Sequence, residues 1–329
     1  MKKRVLGTNG PEVSAIGYGC MGLSEFYGNA DYEEAKKTIL KALSSGITYL
    51  DTADCYGNGA NEELIGDALK DWHEHVFIAS KFGIVRKPGV YERTINGRPE
   101  YVRQALEASL RRLKVDTIDL YYYHRIDLNT PIEETIGAMA DLVKEGKIRY
   151  IGISEASGDT LRRANNVYQL TAGQYEYSLI TRKAETSIFP VLRELGIGFT
   201  AYSPLGRGLL SGKLNRQIIM QEGDFRNTLP RMHGDNFTSN QRLVNALTEI
   251  AAQKGITAAQ LSLAWILSKG EGIIPIPGTR KTERLLENIE AVEITLGSDE
   301  LKQIEDAIPV DQIKGERYTE AGFVGMENY

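Results

Sequence analysis

The sequence predicts an α/β fold, a (β/α)8 TIM barrel with an N-terminal β-hairpin and extra helices, on the basis of three observations. Eight β-like runs alternate with helical patterns, and several of the runs are almost continuously apolar, as parallel strands covered on both faces are. The length of 329 residues suits one barrel of this kind. Ionisable side chains also follow the ends of several runs, at the rim where such barrels carry their chemistry. We therefore expect a single domain over residues 1–329.

The β-type elements begin with a hairpin over residues 3–14. Its arms, RVLG and EVSAI, flank Thr8-Asn9-Gly10, which has the composition of a tight turn. Parallel strands need crossover connections, so each later strand should be followed by a helix. The strands of the barrel are expected at residues 15–19, 48–51, 76–81, 118–123, 148–153, 172–175, 197–202 and 272–276.

Helical patterns fill the intervals between these strands. Asp31 and Asn61 are the expected N-caps of the first two helices, because a short polar side chain can accept a hydrogen bond from a free N–H group of the first turn. Pro131 fits the first turn of another helix. The helices are expected at 31–45, 61–71, 100–114, 131–145, 157–166, 184–195 and 281–291, with extra helices at 240–254 and 257–269.

Two long segments, 82–99 and 203–239, interrupt the alternation of strands and helices. Loops of this length in a compact domain are usually functional or mobile. The C-terminal segment, 310–329, is polar but carries four large side chains: Tyr318, Phe323, Met326 and Tyr329. Further residues that could shape a substrate pocket lie in the predicted rim loops: Phe26, Tyr27, Phe82, Tyr91, Arg125, Phe225 and His233.

The composition limits the possible classes of function. The formal net charge of −5 gives no support for binding to nucleic acid or to a membrane surface. No apolar run approaches the roughly 18 residues of a membrane span, and no apolar signal-peptide core follows the basic N-terminus. The two cysteines, Cys20 and Cys55, exclude a disulfide framework. A cytoplasmic enzyme acting on a small molecule is therefore expected, and the sequence does not indicate its oligomeric state.

Four residues capable of proton chemistry are expected on one rim of the barrel. Asp51 closes ITYLD, Tyr56 follows it by five residues, Lys81 closes VFIASK and His124 closes IDLYYYH. Carbonyl reduction requires a proton donor at the oxygen, which gains negative charge as hydride arrives. Tyr56 can be that acid if the Lys81 ammonium lowers its pKa, while Asp51 compensates the buried charge of Lys81. His124 can donate a second hydrogen bond to the same oxygen.

Each of these residues also has a purely structural interpretation. Asp51 could cap a turn, Tyr56 could be a half-exposed loop aromatic, Lys81 could be solvated, and His124 could be a satisfied core histidine. These interpretations do not explain why all four residues follow strand ends on the same rim. The joint placement therefore favours a catalytic site. His73 and His75 lie near the opposite rim, and no metal site is expected there.

The expected cofactor site lies in the loops after strands seven and eight. No GxGxxG motif follows the first strand, so a Rossmann site is excluded, and Gly206–Lys213 lacks the spacing of a P-loop. Barrels often bind phosphate with these two loops. Three cations in Gly278–Arg284 open a helix, whose N-terminus favours anions, and a 2′-phosphate is the simplest ligand for them. An ordinary solvated helix start is the alternative.

Long motifs of the chain resemble those of the aldo-keto reductases, over nearly its whole length. LDTADCYGNGANEELIGDAL, IASKFG and DLYYYHRID are similar to the family's catalytic segments, and AYSPLGRGLLSGKL and IPIPGTRKTERLLENI to its cofactor segments. HRIDLNTPIEETIGAMADLVKEGKIRYIGISE is similar to the branch that contains perakine reductase, auxin-induced-protein-like reductases and bacterial oxidoreductases. The resemblance implies the fold predicted above.

The resemblance also implies roles for individual residues. Asp51, Tyr56, Lys81 and His124 would form the catalytic tetrad, and NADPH would donate the hydride. Ser154 and Gln174 would hold the nicotinamide carboxamide, Tyr202 would stack on its ring, and Glu287 and Asn288 would contact the adenine. Many members of the family carry Asn where this chain has Glu155, so a role for position 155 at the ring is in doubt. The remaining expected cofactor residues are Ser203, Pro204, Leu205, Gly206, Gly208, Lys213, Gly278, Thr279, Arg280 and Arg284.

The resulting functional prediction is NADPH-dependent reduction of aldehydes and ketones to alcohols. One alternative is a cofactor-binding regulatory subunit that resembles the potassium-channel β-subunits. That role predicts an added N-terminal segment or a dedicated surface for oligomer formation, whereas this chain begins its hairpin at once. A second alternative is a barrel aldolase or isomerase in which Lys81 forms a Schiff base. An ion pair with Asp51 would make Lys81 a poor nucleophile, which disfavours this chemistry.

Overall fold

The computed structural model describes residues 1–28, 30–87 and 92–329, and its centre is a sheet of eight parallel strands. A two-stranded antiparallel hairpin, β1 (Lys3–Val5) and β2 (Glu12–Ser14), precedes the sheet. A second hairpin, β6 (Ile84–Arg86) and β7 (Arg93–Ile95), lies in the first long insertion. The strands of the sheet are β3 (Tyr18–Gly19), β4 (Tyr49–Asp51), β5 (Phe77–Phe82), β8 (Ile118–Tyr123), β9 (Ile148–Ser154), β10 (Ala172–Glu176), β11 (Gly198–Tyr202) and β12 (Ile273–Pro275).

Backbone hydrogen bonds between the two ends of the sheet close it into a barrel. The strands follow one another in chain order from β3 to β12. Next to β3, the N–H of Gly17 donates to the carbonyl oxygen of Pro275 at 3.0 Å. The N–H of Gly19 donates to the carbonyl oxygen of Pro277 at 3.2 Å. A Cβ atom on Gly19 would lie 2.6 Å from the Ile276 carbonyl oxygen, so this close approach requires glycine. The predicted (β/α)8 fold is confirmed.

Alternate side chains of the strands serve two different cores. In β8, Leu120 and Tyr122 belong to the cluster inside the barrel, together with Tyr49 and Ile274. Their neighbours Tyr121 and Tyr123 belong instead to the large cluster between the barrel and its helices. All of them are buried, because a parallel sheet of this kind is covered on both faces. This explains why the strands appear in the sequence as continuous apolar runs.

Helices surround the barrel, and no helix in residues 1–28, 30–87 and 92–329 is long and apolar enough to cross a membrane. They are α1 (Tyr32–Ser44), α2 (Ala60–Leu69), α3 (Pro99–Leu113), α4 (Ile132–Lys144), α5 (Gly158–Val167), α6 (Ala184–Ser187), α7 (Phe189–Leu195), α8 (Arg216–Ile219), α9 (Gly234–Gln253), α10 (Ala258–Leu267), α11 (Thr282–Glu290) and α12 (Ser298–Ala307).

The start of α1 agrees with the expectation, whereas the start of α2 does not. Asp31 caps α1, and its side chain accepts a hydrogen bond from the N–H of Glu34 at 2.9 Å. The prediction that Asn61 caps α2 is wrong, because the helix begins at Ala60 after a left-handed Gly59. The Asn61 side chain is buried and donates to the Cys20 carbonyl oxygen instead.

Other differences from the expectation have local causes. The helix expected at 184–195 is divided at Ile188, because Pro190 lacks the N–H group that would continue the hydrogen-bond ladder. Helix α9 begins at Gly234, six residues before the expected start at 240. Helix α12 was not expected, and only Ile304 of its residues is buried.

Candidate active site

The structure brings the four predicted catalytic residues together at one rim of the barrel. Asp51 is the last residue of β4, Lys81 is the penultimate residue of β5, and His124 follows β8 directly. Tyr56 lies in the loop after β4. Because β4, β5 and β8 are parallel neighbours in the sheet, their C-terminal ends place these side chains next to one another.

The Lys81 ammonium is the buried centre of this group. Its Nζ donates to Asp51 Oδ1 at 2.5 Å, to the Thr52 carbonyl oxygen at 2.6 Å and to the Tyr56 hydroxyl at 3.4 Å. The second oxygen of Asp51 accepts a hydrogen bond from Gln174 Nε2 at 2.8 Å. Burial raises the pKa of Asp51, and the Lys81 charge and these hydrogen bonds oppose the rise. The buried charge of Lys81 is therefore compensated in the folded protein.

The pKa of Tyr56 differs from the expectation. The sequence suggested that the Lys81 ammonium lowers this pKa, but burial raises it well above its ordinary value, and the charge of Asp51 raises it further. Arg125 opposes this rise without reversing it. The Tyr56 phenol therefore keeps its proton at neutral pH, in the form required of a proton donor.

His124 completes the rim beside Tyr56. The two rings meet edge to face, with centroids 5.9 Å apart, and Cys55 Sγ lies 3.7 Å from His124 Nδ1. Burial lowers the pKa of His124 well below its ordinary value, and the charges of Arg125 and Lys81 lower it further. A neutral imidazole has one N–H group, so His124 can donate a hydrogen bond without adding a charge to the site.

A cavity of about 340 Å³ extends from the four predicted catalytic residues to the loops after β11 and β12. Asp51, Tyr56 and His124 line it, whereas Lys81 lies behind Asp51 and Tyr56. All of the expected cofactor residues line it except Gly206. Gly206, which belongs to the loop after β11, packs against Ile180, and a Cβ atom on it would lie 2.6 Å from Ile180 Cδ1. The lining residues expected to hold cofactor are Ser154, Gln174, Tyr202, Ser203, Pro204, Leu205, Gly208, Lys213, Gly278, Thr279, Arg280, Arg284, Glu287 and Asn288.

The loop after β11 forms one wall of the cavity. Gly206, Arg207 and Gly208 have φ angles of 54°, 56° and 93°, an unusual run of left-handed backbone that two glycines make accessible. Beyond the loop, Lys213 Nζ forms an ion pair with Glu287 of α11 at 2.9 Å. Because both residues line the cavity, this ion pair joins the β11 loop to α11 beside it.

The segment that leads into α11 forms another wall of the cavity. Gly278, Thr279, Arg280 and Lys281 all line the cavity just before the helix begins at Thr282. The Arg280 guanidinium donates to the carbonyl oxygens of Tyr27 and Gly28. Free N–H groups and several cations at this end suit an anionic group, so the residues present fit a nucleotide phosphate.

Glu155 does not line the cavity, and its contacts show what it does instead. Its carboxylate is fully buried and receives hydrogen bonds from Arg317 at 2.7 and 3.1 Å, from the Tyr329 hydroxyl at 3.1 Å and from the N–H of Glu176 at 2.9 Å. Burial acts to raise the pKa of Glu155, but the charge and hydrogen bonds of Arg317, together with the charge of Arg125 and the N–H of Glu176, hold this pKa below its usual range. Glu155 therefore anchors the C-terminal segment to the barrel.

This anchored segment contributes a cavity residue that the sequence did not identify. Tyr318 follows Arg317 and lines the cavity, where its hydroxyl contacts the Arg207 guanidinium and lies 3.4 Å from the Tyr202 hydroxyl. The sequence gives little indication of this position for Tyr318, because it depends on the contact between Glu155 and Arg317, which are 162 residues apart in the chain.

Some of the expected rim residues line the cavity and others do not. Phe82 is fully buried in the core, and His233 lies outside the cavity, next to the start of α9. Tyr91 lies outside the described residues. No cluster of metal-ligating side chains occurs in the described part of the chain. The rim residues that line the cavity are Phe26, Tyr27, Arg125 and Phe225.

Comparison with known proteins gives one consistent result. The model of the aldo/keto reductase family matches residues 15–309. A probable aldo-keto reductase of Glycine max is 46% identical over 315 residues, which cover 95% of this chain and 90% of that protein. A glycerol dehydrogenase from Gluconobacter oxydans has a TM-score of 0.85 at 29% identity, covering 93% of this chain and 94% of that one. An aldo-keto reductase from Bacillus halodurans, in its holo form, has a TM-score of 0.79 at 30% identity, covering 94% and 97%.

Proposed function

The chain belongs to the aldo/keto reductase family, an oxidoreductase family that acts on carbonyl groups, and on that premise we propose its reaction. We propose that it reduces aldehydes and ketones to alcohols, with NADPH as the hydride donor and Tyr56 as the proton donor. The observation that carries this proposal is the Tyr56 hydroxyl, which lies 3.4 Å from the buried Lys81 ammonium in a cavity that His124 also lines.

The proposed mechanism places the carbonyl oxygen between Tyr56 and His124. When bound, a reduced nicotinamide supplies a hydride to the carbonyl carbon. Tyr56 and His124 donate hydrogen bonds to the oxygen as its negative charge develops, and Tyr56 then transfers its proton. An alkoxide is much more basic than a phenolate, so the transfer is favourable although burial raises the pKa of Tyr56. The Lys81 ammonium stabilises the phenolate that remains, and Asp51 holds Lys81 in place.

We propose that the cavity holds the cofactor along the ends of β9 to β12. Ser154 and Gln174 would bind the carboxamide, Tyr202 would stack on the ring, and the segments 203–208 and 278–280 with Lys213 would hold the phosphates. Glu287 and Asn288 would contact the adenine. Support comes from their common position on the wall of one cavity that begins at Tyr56.

The Schiff-base alternative has no support in the contacts of Lys81. Its side chain is fully buried, and its Nζ already donates to Asp51 at 2.5 Å and to the Thr52 carbonyl oxygen at 2.6 Å. A charged, ion-paired amine has no lone pair with which to attack a carbonyl carbon. The same contacts suit a fixed cation that acts on Tyr56.

Replacing Arg284 with Ala should weaken the binding of NADPH roughly 10- to 100-fold and leave that of NADH almost unchanged, since a charge-assisted hydrogen bond to the 2′-phosphate would be lost. Fluorescence titration with both cofactors measures the effect. Arg284 is exposed, so its loss should not disturb folding.

Arg280→Ala should act in the same direction, but it also removes contacts to Tyr27 and Gly28. Comparing the two variants separates recognition of the phosphate from support of that loop. If both variants weakened NADH as much as NADPH, the assignment of a 2′-phosphate site would be wrong.

A screen of aldehydes and ketones, which follows the absorbance of NADPH, tests the proposed function. We expect the wild-type protein to oxidise NADPH only when a carbonyl compound is present, with formation of the alcohol. Binding of NADPH without turnover of any carbonyl compound would argue for a regulatory role instead.

A further inference from the structure

Arg125 is a buried cation in the cavity, and none of the described carboxylates forms an ion pair with it. It follows His124 directly, lines the cavity and is only 5% exposed. Its Nη1 donates to the His124 carbonyl oxygen at 2.7 Å and to Ser154 Oγ at 3.2 Å. Its Nε is buried without an acceptor, and within the described ranges no carboxylate lies close enough to form an ion pair with it.

A buried guanidinium without an anion is costly, so its persistence requires an explanation. Two other arginines of the same cavity have carboxylate partners: Arg86 pairs with Glu25, and Arg226 pairs with Asp224 at 2.5 Å. Glu155 influences Arg125 electrostatically, but its carboxylate is already held by Arg317 through two hydrogen bonds. Burial acts to lower the pKa of Arg125, but nearby groups, Glu155 among them, raise it above its ordinary value. Arg125 is therefore a stable cation that has no carboxylate of the described residues in direct contact with it.

The backbone and the C-terminal segment hold Arg125 in place. The N–H of Ile126 donates to the Gly325 carbonyl oxygen at 2.8 Å, and a Cβ atom on Gly325 would lie 2.8 Å from Arg125 Cβ. The stem of Arg125 is thus packed between the end of β8 and the C-terminal segment. A guanidinium fixed in this way loses little side-chain entropy when it binds a ligand.

The charge of the whole cavity lining is also one-sided. Among residues 1–28, 30–87 and 92–329, nine lysine and arginine side chains line it, against two carboxylates, Asp51 and Glu287. Both carboxylates are paired, with Lys81 and Lys213 respectively. The cations near α11 are accounted for by the proposed cofactor, whereas Arg125 lies beside the catalytic His124.

We propose that Arg125 binds a carboxylate group of the substrate, so that the preferred substrates are aldehydes or ketones that carry a carboxylate. This inference rests on the proposed function and specifies its substrate class. Nη1 is used by the His124 carbonyl oxygen and Ser154, and Nε is buried, so Nη2 is the nitrogen left for the ligand. A carboxylate oxygen that accepts from Nη2 would form a charge-assisted hydrogen bond with the guanidinium.

The test compares matched acid and amide substrates. The probes are the ortho, meta and para carboxybenzaldehydes, each paired with the carbamoylbenzaldehyde of the same geometry, which is nearly equal in shape but neutral. We expect the wild-type protein to favour at least one of the acids over its amide by roughly tenfold or more in kcat/KM. Equal or better turnover of all three amides would overturn the proposal.

Arg125→Met should lower kcat/KM for the favoured acid roughly 10- to 100-fold more than it lowers kcat/KM for the matched amide, so the acid-to-amide ratio is the quantity that reports the contact. Arg125→Lys keeps the charge but lacks the planar fork, so it should lie between wild type and Arg125→Met. It also keeps the test decisive if the Met variant does not fold. Equal losses for acid and amide, or a matching loss of NADPH affinity, would assign Arg125 to support of Ser154 or His124 and contradict the proposal.

A binding measurement separates this inference from the proposed reaction. Calorimetric titration with benzoate, and with benzamide as the neutral control, needs no turnover. We expect wild type to bind benzoate more tightly than benzamide, and Arg125→Met to lose this difference. If no carbonyl compound were turned over but benzoate still bound in this way, the proposed reaction would be rejected and the anion site would be retained. Unchanged binding of benzoate by Arg125→Met would reject the site itself.

Discussion

Tyr56→Phe is expected to lower kcat for carbonyl reduction on the order of 10²- to 10⁴-fold, which is the usual contribution of a positioned proton donor. The change removes only the hydroxyl group and leaves the ring, which contacts the His124 ring edge to face and lies 5.0 Å from Lys81 Nζ. Binding of NADPH should therefore change by less than about twofold. Steady-state kinetics and a fluorescence titration of NADPH measure the two effects separately.

The matched control for this variant is Tyr32→Phe. Tyr32 lies on α1 and does not line the cavity, and its hydroxyl donates to Asp67 at 2.5 Å on the surface. Loss of that hydroxyl should leave kcat within about twofold of wild type, as surface substitutions generally do. If Tyr56→Phe turned over at the wild-type rate, Tyr56 could not be the proton donor.

Lys81→Met is expected to reduce both stability and activity. It would leave the Asp51 carboxylate buried without its cation, and breaking a buried ion pair in this way usually costs about 3–5 kcal/mol in the free energy of unfolding. Activity should also fall sharply, because the Tyr56 phenolate formed in the reaction would lose the ammonium now 3.4 Å away. Denaturant unfolding measures the first effect and initial rates measure the second.

The double variant Asp51→Asn with Lys81→Met distinguishes the two roles of the ion pair. It should recover much of the lost stability, since no uncompensated charge remains, but should not recover activity. In the single variant Lys81→Met, burial without a cation raises the pKa of Asp51 above its unfolded value. The deficit in stability should then be full above that raised pKa and shrink as the pH falls through it. A deficit unchanged by pH would contradict this explanation.

The fold could be predicted from the sequence because its strands are buried on both faces. The strand expected at 118–123 is β8 with the same bounds, and its six residues are all buried. Short elements with few buried residues were missed. Helix α12 buries only Ile304, and the hairpin β6–β7 lies in a segment that has no regular apolar pattern.

The grouping of the proposed catalytic residues could be predicted because position on a parallel strand fixes position on the rim. The positions of Asp51, Lys81 and His124 on the rim follow once the strands that carry or precede them are identified. Properties that depend on distance and burial could not be predicted. The pKa of Tyr56 rises because of burial and the nearby Asp51 carboxylate, although the sequence suggested that Lys81 would lower it.

Contacts between distant parts of the chain were also beyond prediction. The partner of Glu155 is Arg317, and nothing local to residue 155 indicates that it anchors the C-terminal segment. The same anchor holds Tyr318 at the cavity and packs Gly325 against Arg125. The environment of Arg125 could therefore be assessed only once the C-terminal segment had been placed.

Transfer of deuterium tests the proposed reaction most directly. NADPH labelled with deuterium at one face of nicotinamide C4 would be mixed with the wild-type protein and an aldehyde, and the alcohol would be analysed by mass spectrometry and NMR. The account predicts one deuterium atom on the carbinol carbon from one labelled face and none from the other. Alcohol formed without deuterium from either face, or no oxidation of NADPH with any carbonyl compound, would contradict it.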